Sequence, residues 1–215
     1  MRAIQSTPTL TEQVYQAILD DICDGSLPPG AHLVQEQLAE RLGVSRQPVQ
    51  QVMALLKADG IVTEAGRRGL YVAELDLAEM RHRYEIRVAL DGLAAGAAAR
   101  RVRDDRRVAE DLAQRGREIL SAGRAAVASG RVPEQIRQDE AFHNLVYAVS
   151  GNPLLARTAE PHWRFLRRVM GEVLRRAEPP RDIWRQHGEI LQAILSGDPE
   201  RAAERAGEHV RVAAT

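Results

Sequence analysis

Asp139, His143, His187 and His209 are the residues of this 215-residue chain whose types and spacing most directly suggest chemistry. Asp139 and His143 stand four apart, which puts both on one face of a helix. That face also holds Ile136, Val146 and Tyr147, so both side chains are expected to point inward. His187 falls within the apolar stripe Ile183, Ile190, Leu191 and Ile194, and His209 lies in line with Ala202, Ala206 and Val210. An aspartate and three imidazoles buried without partners are costly, whereas one shared divalent metal satisfies all four. Taken singly, each histidine reads as a core or rim residue with one hydrogen bond. Taken as a set that includes an i, i+4 pair, they read as a metal site. His32 in a loop, His82 on an outer face and His162 at a position that periodicity does not resolve lack this support and are read as bystanders.

A metal held this way can activate water in an enzyme. That reading needs a general base on an inward stripe, and none is placed there. Glu140 falls on the other side of its helix and Glu189 lies off the stripe of His187. The residues favour a binding or sensing site, and no catalytic residues are expected.

A second group of polar residues lies near the N-terminus. Residues 34–42 and 46–57 read as two short helices around a tight turn. Leu38, Ala39 and Leu42 give the first an apolar side, and Gly43 supplies a residue that tolerates positive φ just past its end. Ser45 is expected to cap the second helix with its hydroxyl, and Pro48 falls in the first turn, where its missing N–H costs little. Val49, Val52, Met53 and Leu56 point inward, leaving Arg46, Gln47, Gln50 and Gln51 on the outer face. An ordinary helical hairpin with a wet outer face would look the same. The next dozen residues shift the balance. Ile61–Glu64 and Leu70–Val72 read as two strands joined by Ala65-Gly66-Arg67-Arg68-Gly69, a basic hairpin tip able to approach a phosphate backbone. Helix, helix-turn-helix and basic wing in that order form a winged-helix reader of double-stranded DNA.

Composition bounds these readings. Basic and acidic residues balance at 30 each, and residues 1–73 carry six basic against eight acidic residues, so overall charge does not point to nucleic acid. Local charge does, through Arg46, Arg67, Arg68 and Lys57. Modest non-specific affinity per monomer is expected, which makes a homodimer on a two-fold operator the useful form. No stretch approaches the ~20 apolar residues of a membrane span, and the first residues lack the apolar core of a signal peptide. Cys23 is the single cysteine, as suits a reducing cytoplasm, and reads as a small buried residue.

The expected architecture is mainly α: a winged helix-turn-helix over 1–73, a short linker over 74–76 and an all-α six-helix bundle over 77–215. Thr9 and Glu12 form a capping box before Leu10, Val14, Ile18 and Ile22, and Asp76 with Glu79 repeats the pattern after the linker. The bundle's first helix runs to about Arg103, with Leu77, Met80, Tyr84 and Val88 inward and a small-residue run from Gly92 to Ala99. A second starts near Asp104 and carries Val108 and Leu112, and Gly123–Gly130 reads as a partly helical connection. Pro133 opens a third helix. Asn152 caps a fourth with Leu155, Phe165, Leu166, Val169 and Val173 inward. Pro179-Pro180 precedes a fifth, and Asp198-Pro199 opens the last.

Residues 10–72 resemble the DNA-binding domain of the GntR family of bacterial transcription regulators. The resemblance rests on Gly25, Leu27, Pro29-Gly30, Leu33, Leu38-Ala39, Leu42-Gly43-Val44-Ser45-Arg46, Pro48-Val49, Leu55, Gly60 and Gly69. The family has Arg-Glu-Ala-Leu after Pro-Val, and this chain has Gln50-Gln51-Val52-Met53. Arg favours guanine and Gln favours adenine in the major groove, so the base facing Gln50 is expected to differ from the family's half-site. Residues 77–212 resemble the FCD effector-binding domain of the FadR subgroup, through Asp139-Glu140-Ala141-Phe142-His143, Ser150-Gly151-Asn152, His187 to Gly197-Asp198, and His209. That resemblance implies a divalent metal, often zinc or nickel, whose open positions take a small carboxylate effector. It also implies an inward Arg in an Arg-x-x-Leu-Glu pattern, matched by Arg87 with Leu90 and with Asp91 in place of Glu. Arg87 and Asn152 are then expected on the effector side, while Arg87 alone reads equally as a salt-bridging residue of the bundle. The function implied is a repressor whose operator binding responds to a small carboxylate. A regulator that senses the metal alone is the alternative.

Overall fold

The computed structural model describes residues 8–66, 69–176 and 183–214. The chain divides into two compact units, Met1–Leu75 and Asp76–Thr215.

In the first unit α1 (Leu10–Asp24) starts at the expected capping box. Thr9 Oγ1 accepts the Glu12 N–H at 3.2 Å, and Glu12 Oε2 accepts the Thr9 N–H at 2.7 Å. Val14, Ile18, Leu19, Ile22 and Cys23 form its buried side, and α1 packs on α3 (Arg46–Ala58). Between them α2 (Gln35–Leu42) ends where Gly43 takes φ 66°, which lets its N–H reach back to the Ala39 and Glu40 carbonyls. Ser45 stands at the N-cap of α3 with extended backbone, yet its hydroxyl makes no capping hydrogen bond, contrary to expectation. The wing pairs β1 (Val62–Ala65) antiparallel to β2 (Gly69–Val72), Val62 opposite Val72 and Ala65 opposite Gly69, so both strands sit closer to the tip than expected. The segment before α2 adds a partial third strand: Gly30 N–H donates to Val72 O, Leu33 N–H to Leu70 O, and the His32 ring stacks on Tyr71 at 4.8 Å.

Among the described residues the second unit is a bundle of six helices: α4 (Leu77–Asp104), α5 (Arg106–Ala128), α6 (Val132–Val149), α7 (Pro153–Arg176), α8 (Ile183–Leu195) and α9 (Pro199–Ala213). The small-residue run of α4 has a direct use. Ala94, Ala95, Ala98 and Ala99 are fully buried, and a Cβ on Gly96 would stand 3.1 Å from the Pro199 carbonyl, so α4 and α9 pack nearly backbone to backbone. Asp76, Asp105 and Asp198 cap α4, α5 and α9 with their carboxylates. Three expectations need correction. Leu77 and Val173 are 56% and 48% exposed instead of inward. Residues 123–128 are regular α5, because Gly123 lies on its buried side where the Trp184 ring occupies the place of a Cβ. The Pro179-Pro180 break falls outside the described residues.

Trp163, Tyr147, Phe142, Leu112, Leu191 and Ile194 form the bundle's core. The polar residues of interest are buried within it.

Candidate functional site

Asp139, His143, His187 and His209 come from α6, α8 and α9 and are buried, at 6%, 3%, 0% and 6% exposure. Each offers one ligand atom such that all four atoms lie within 4.8 Å of one another. His187 Nε2 stands 3.1 Å from His209 Nε2 and 3.2 Å from Asp139 Oδ1. Neighbouring ligands on a tetrahedral ion with bonds of ~2.1 Å stand about 3.4 Å apart, so these separations suit a single ion. His143 Nε2 is buried with no hydrogen-bond partner among the described residues. The His187 and His209 nitrogens can share one N–H···N hydrogen bond, but His143 Nε2 is left unpaired, and the three imidazoles with the carboxylate match the donor set of a divalent transition metal.

The groups behind the imidazoles are as ordered as the cluster. His143 Nδ1 stands 2.6 Å from Asp91 Oδ1, which also accepts the Tyr147 hydroxyl at 2.9 Å, while Asp91 Oδ2 accepts Arg87 Nε–H at 3.1 Å. His209 Nδ1 stands 2.8 Å from Gln186 Oε1. His187 is held differently, stacked on Phe142 at 4.4 Å and edge-on to Trp184 at 4.9 Å. Asp91 and Gln186 went unassigned in the sequence. The available signal for Asp91 was its position one turn after Arg87, but Gln186 stands beside His187 and offers no periodic clue.

Electrostatics follow from burial. Desolvation pushes His187 well below the ordinary imidazole range, with the His209 and His143 charges adding to it. Desolvation, His143 and Arg87 bring His209 down to about 3. Both rings are therefore neutral and able to offer a lone pair at physiological pH. Burial pushes the Asp139 carboxyl up against the opposing pull of His143 and Arg87. Burial pushes Asp91 up too, but Arg87, His143 and its hydrogen bonds outweigh this and hold it well below the carboxylate range.

Arg87 is 3% exposed, with its guanidinium 3.9 Å from the centre of the Trp163 ring. Its Nε is tied to Asp91, and its Nη2 has no hydrogen-bond partner among the described residues. The bundle salt bridge and an unsatisfied donor edge are both present. Asn152 lies elsewhere: it is exposed at the start of α7, where its Oδ1 accepts the Leu154 N–H at 3.0 Å. It caps that helix, as expected. His32, His82 and His162 are not among the four clustered groups, and Glu140 pairs with Arg167 at 2.6 Å.

In the first unit Ser45, Arg46, Gln47, Gln50 and Gln51 are all exposed along the N-terminal half of α3. Arg46 forms an ion pair with Glu36, and Gln51 Oε1 accepts the Thr11 hydroxyl at 3.1 Å. The Arg46 and Glu36 side chains are 66% and 69% exposed, so this pair contributes only about 0–1 kcal/mol and is readily exchanged. Lys57 pairs with Glu64 at 2.8 Å. Gly69 opens β2, but Arg67 and Arg68 lie outside the described residues.

Comparison with known proteins agrees with both halves. Residues 10–72 match the family described as bacterial regulatory proteins, gntR family, and residues 82–212 match the FCD domain. The HTH-type transcriptional repressor RspR of Escherichia coli is 27% identical over 203 residues, covering 94% of this chain and 86% of that protein. A probable D-xylose utilization operon transcriptional repressor of Paenarthrobacter nicotinovorans is 28% identical over 208 residues, with the same coverage. The solved structure of E. coli McbR/YncC shares the fold at a TM-score of 0.79 and 22% identity, over 96% of each chain. With the winged helix matched in front and the FCD domain behind, the chain belongs to the gntR family of bacterial transcriptional regulators.

Proposed function

We propose that the protein is a repressor whose binding to a two-fold operator is modulated by a small carboxylate, held at a metal centre in the helical unit. The observation that carries this reading is the convergence of Asp139, His143, His187 and His209 within 4.8 Å, with an unpaired buried His143 Nε2 among them. The mixed imidazole and carboxylate set suits zinc or nickel. A bound ion supplies a Lewis-acidic position for an organic acid.

Everything else in the reading is work for the chain's own residues. Asp139 and the three imidazoles supply the ligands. Arg87 offers its unpaired Nη2 to the far end of the acid, a charge-assisted contact favoured in a buried site. Trp163 beneath the guanidinium fixes its plane. In front, Arg46, Gln47, Gln50 and Gln51 are offered to base edges in the major groove, with Ser45, Arg67, Arg68 and Gly69 at the phosphate backbone. A homodimer places two such faces on one operator in the cytoplasm. The acid and DNA then oppose each other through a coupling free energy of about 1–3 kcal/mol.

The test is thermal unfolding of metal-loaded protein across a panel of small organic acids, paired with operator binding. Stabilisation by particular acids, weaker operator binding in their presence, and loss of both in Arg87→Ala are expected. No response to any acid, with metal still bound, would leave a regulator that senses the ion itself, the reading that the unpaired Arg87 Nη2 disfavours.

A further inference from the structure

We propose that Asp91 and Gln186 are the positioning residues of this metal centre: by accepting the Nδ1–H of His143 and His209, they lock both imidazoles in the tautomer that offers Nε2 to the ion. The inference rests on the metal reading above and adds two residues to it.

A neutral imidazole has one donor and one acceptor nitrogen, and the hydrogen bond made by one fixes the role of the other. His143 Nδ1 meets a carboxylate oxygen at 2.6 Å, and His209 Nδ1 meets an amide oxygen at 2.8 Å. Both partners are acceptors, so both Nδ1 atoms carry the proton and both Nε2 atoms are left with a lone pair. Those Nε2 atoms are the ones directed at the cluster: His209 Nε2 faces His187 Nε2, and His143 Nε2 has no other partner among the described residues. Asp91 is itself over-determined. Arg87 on its own helix and His143 and Tyr147 on α6 all donate to it, and it is 2% exposed. A carboxylate fixed by three donors holds an imidazole more rigidly than a half-exposed side chain can, and it also makes the ring a stronger donor to a metal. Gln186 is neutral and half-buried, so it sets the tautomer with less gain in basicity. His187 has no hydrogen-bond acceptor at Nδ1 among the described residues and is oriented by Phe142 and Trp184 instead.

The experiment measures zinc affinity of the full chain by competition with a chromogenic chelator, together with the visible spectrum of the cobalt-substituted protein. Asp91→Asn and Gln186→Leu are each expected to weaken zinc roughly 10- to 100-fold, Asp91→Asn more, and to alter the cobalt bands while helical content is kept. In a His143→Ala background Asp91→Asn is expected to cost nothing further, because its target is gone. Equal zinc affinity in parent and both variants, or an Asp91→Asn penalty that persists without His143, overturns the assignment. Gln186→Leu, at a half-buried position, decides the question if Asp91→Asn does not fold. A parent chain that binds no zinc and gives no cobalt spectrum overturns the metal reading itself, and this inference with it.

Discussion

Replacing Gly123 with alanine tests whether the packing behind the cluster is as tight as its geometry implies. A Cβ at Gly123 would lie 2.0, 2.1 and 2.3 Å from Cη2, Cζ2 and Cζ3 of Trp184. The indole has little room to retreat, since it is 6% exposed and its ring centre lies 4.9 Å from that of His187. Overpacking a core costs about 1–3 kcal/mol, and an overlap this deep against a rigid ring belongs at the upper end, roughly 3 kcal/mol. Exchanging glycine for alanine inside a helix returns about 1 kcal/mol. The net expected loss is about 2 kcal/mol, a fall in Tm of roughly 6 °C at about 3 °C per kcal/mol for a unit of this size. Gly188 on α8 is the control, because a Cβ there meets nothing within 4 Å. Gly188→Ala keeps the propensity gain and should raise Tm by about 3 °C. Calorimetry of the two variants decides, with zinc affinity as a second readout that should fall only in Gly123→Ala, where the displaced indole presses on His187. A Gly123→Ala protein as stable as the parent would refute the packing argument.

Other consequences can be checked separately. Arg46→Ala should cost about 1–3 kcal/mol of discrimination at one operator base pair in a binding titration, and unchanged affinity and selectivity would remove its groove-reading role. Gln50→Arg should move the preferred base at one position from adenine toward guanine in a binding-site selection, whereas an unchanged half-site would place Gln50 off the bases. The metal-free protein should lose stability as pH falls. His187 and His209 have folded values depressed below the ordinary 6.5, so their contribution is complete above about pH 6.5 and declines as the pH drops toward the folded values, which for His209 means toward about 3. The slope is at most about 1.4 kcal/mol per pH unit for each ring, partly offset by the raised Asp139, and a flat denaturation midpoint between pH 7 and 5 would contradict it.

Much of the fold was legible because periodicity and capping are local. Thr9-x-x-Glu12 starts α1 where it reads, Gly43 takes the left-handed conformation that its position demands, and the stripes through His143, His187 and His209 converge as their apolar neighbours imply. What failed depends on contacts that no window contains. The stretch from Gly123 reads as only partly helical until Trp184, 61 positions after Gly123, is seen filling the place of its missing side chain. Leu77 and Val173 follow helical spacing, yet they lie on faces that this chain leaves uncovered. Asp91 and Gln186 were hidden because what they do is set by a ring on another helix.

The central claim is that one divalent ion sits among Asp139, His143, His187 and His209. Elemental analysis of the full chain purified without chelator tests it most directly. About one zinc or nickel ion per chain is expected, with occupancy lost in His187→Ala while that variant still binds operator DNA. A parent chain free of transition metal, or a His187→Ala variant with full occupancy, would contradict it.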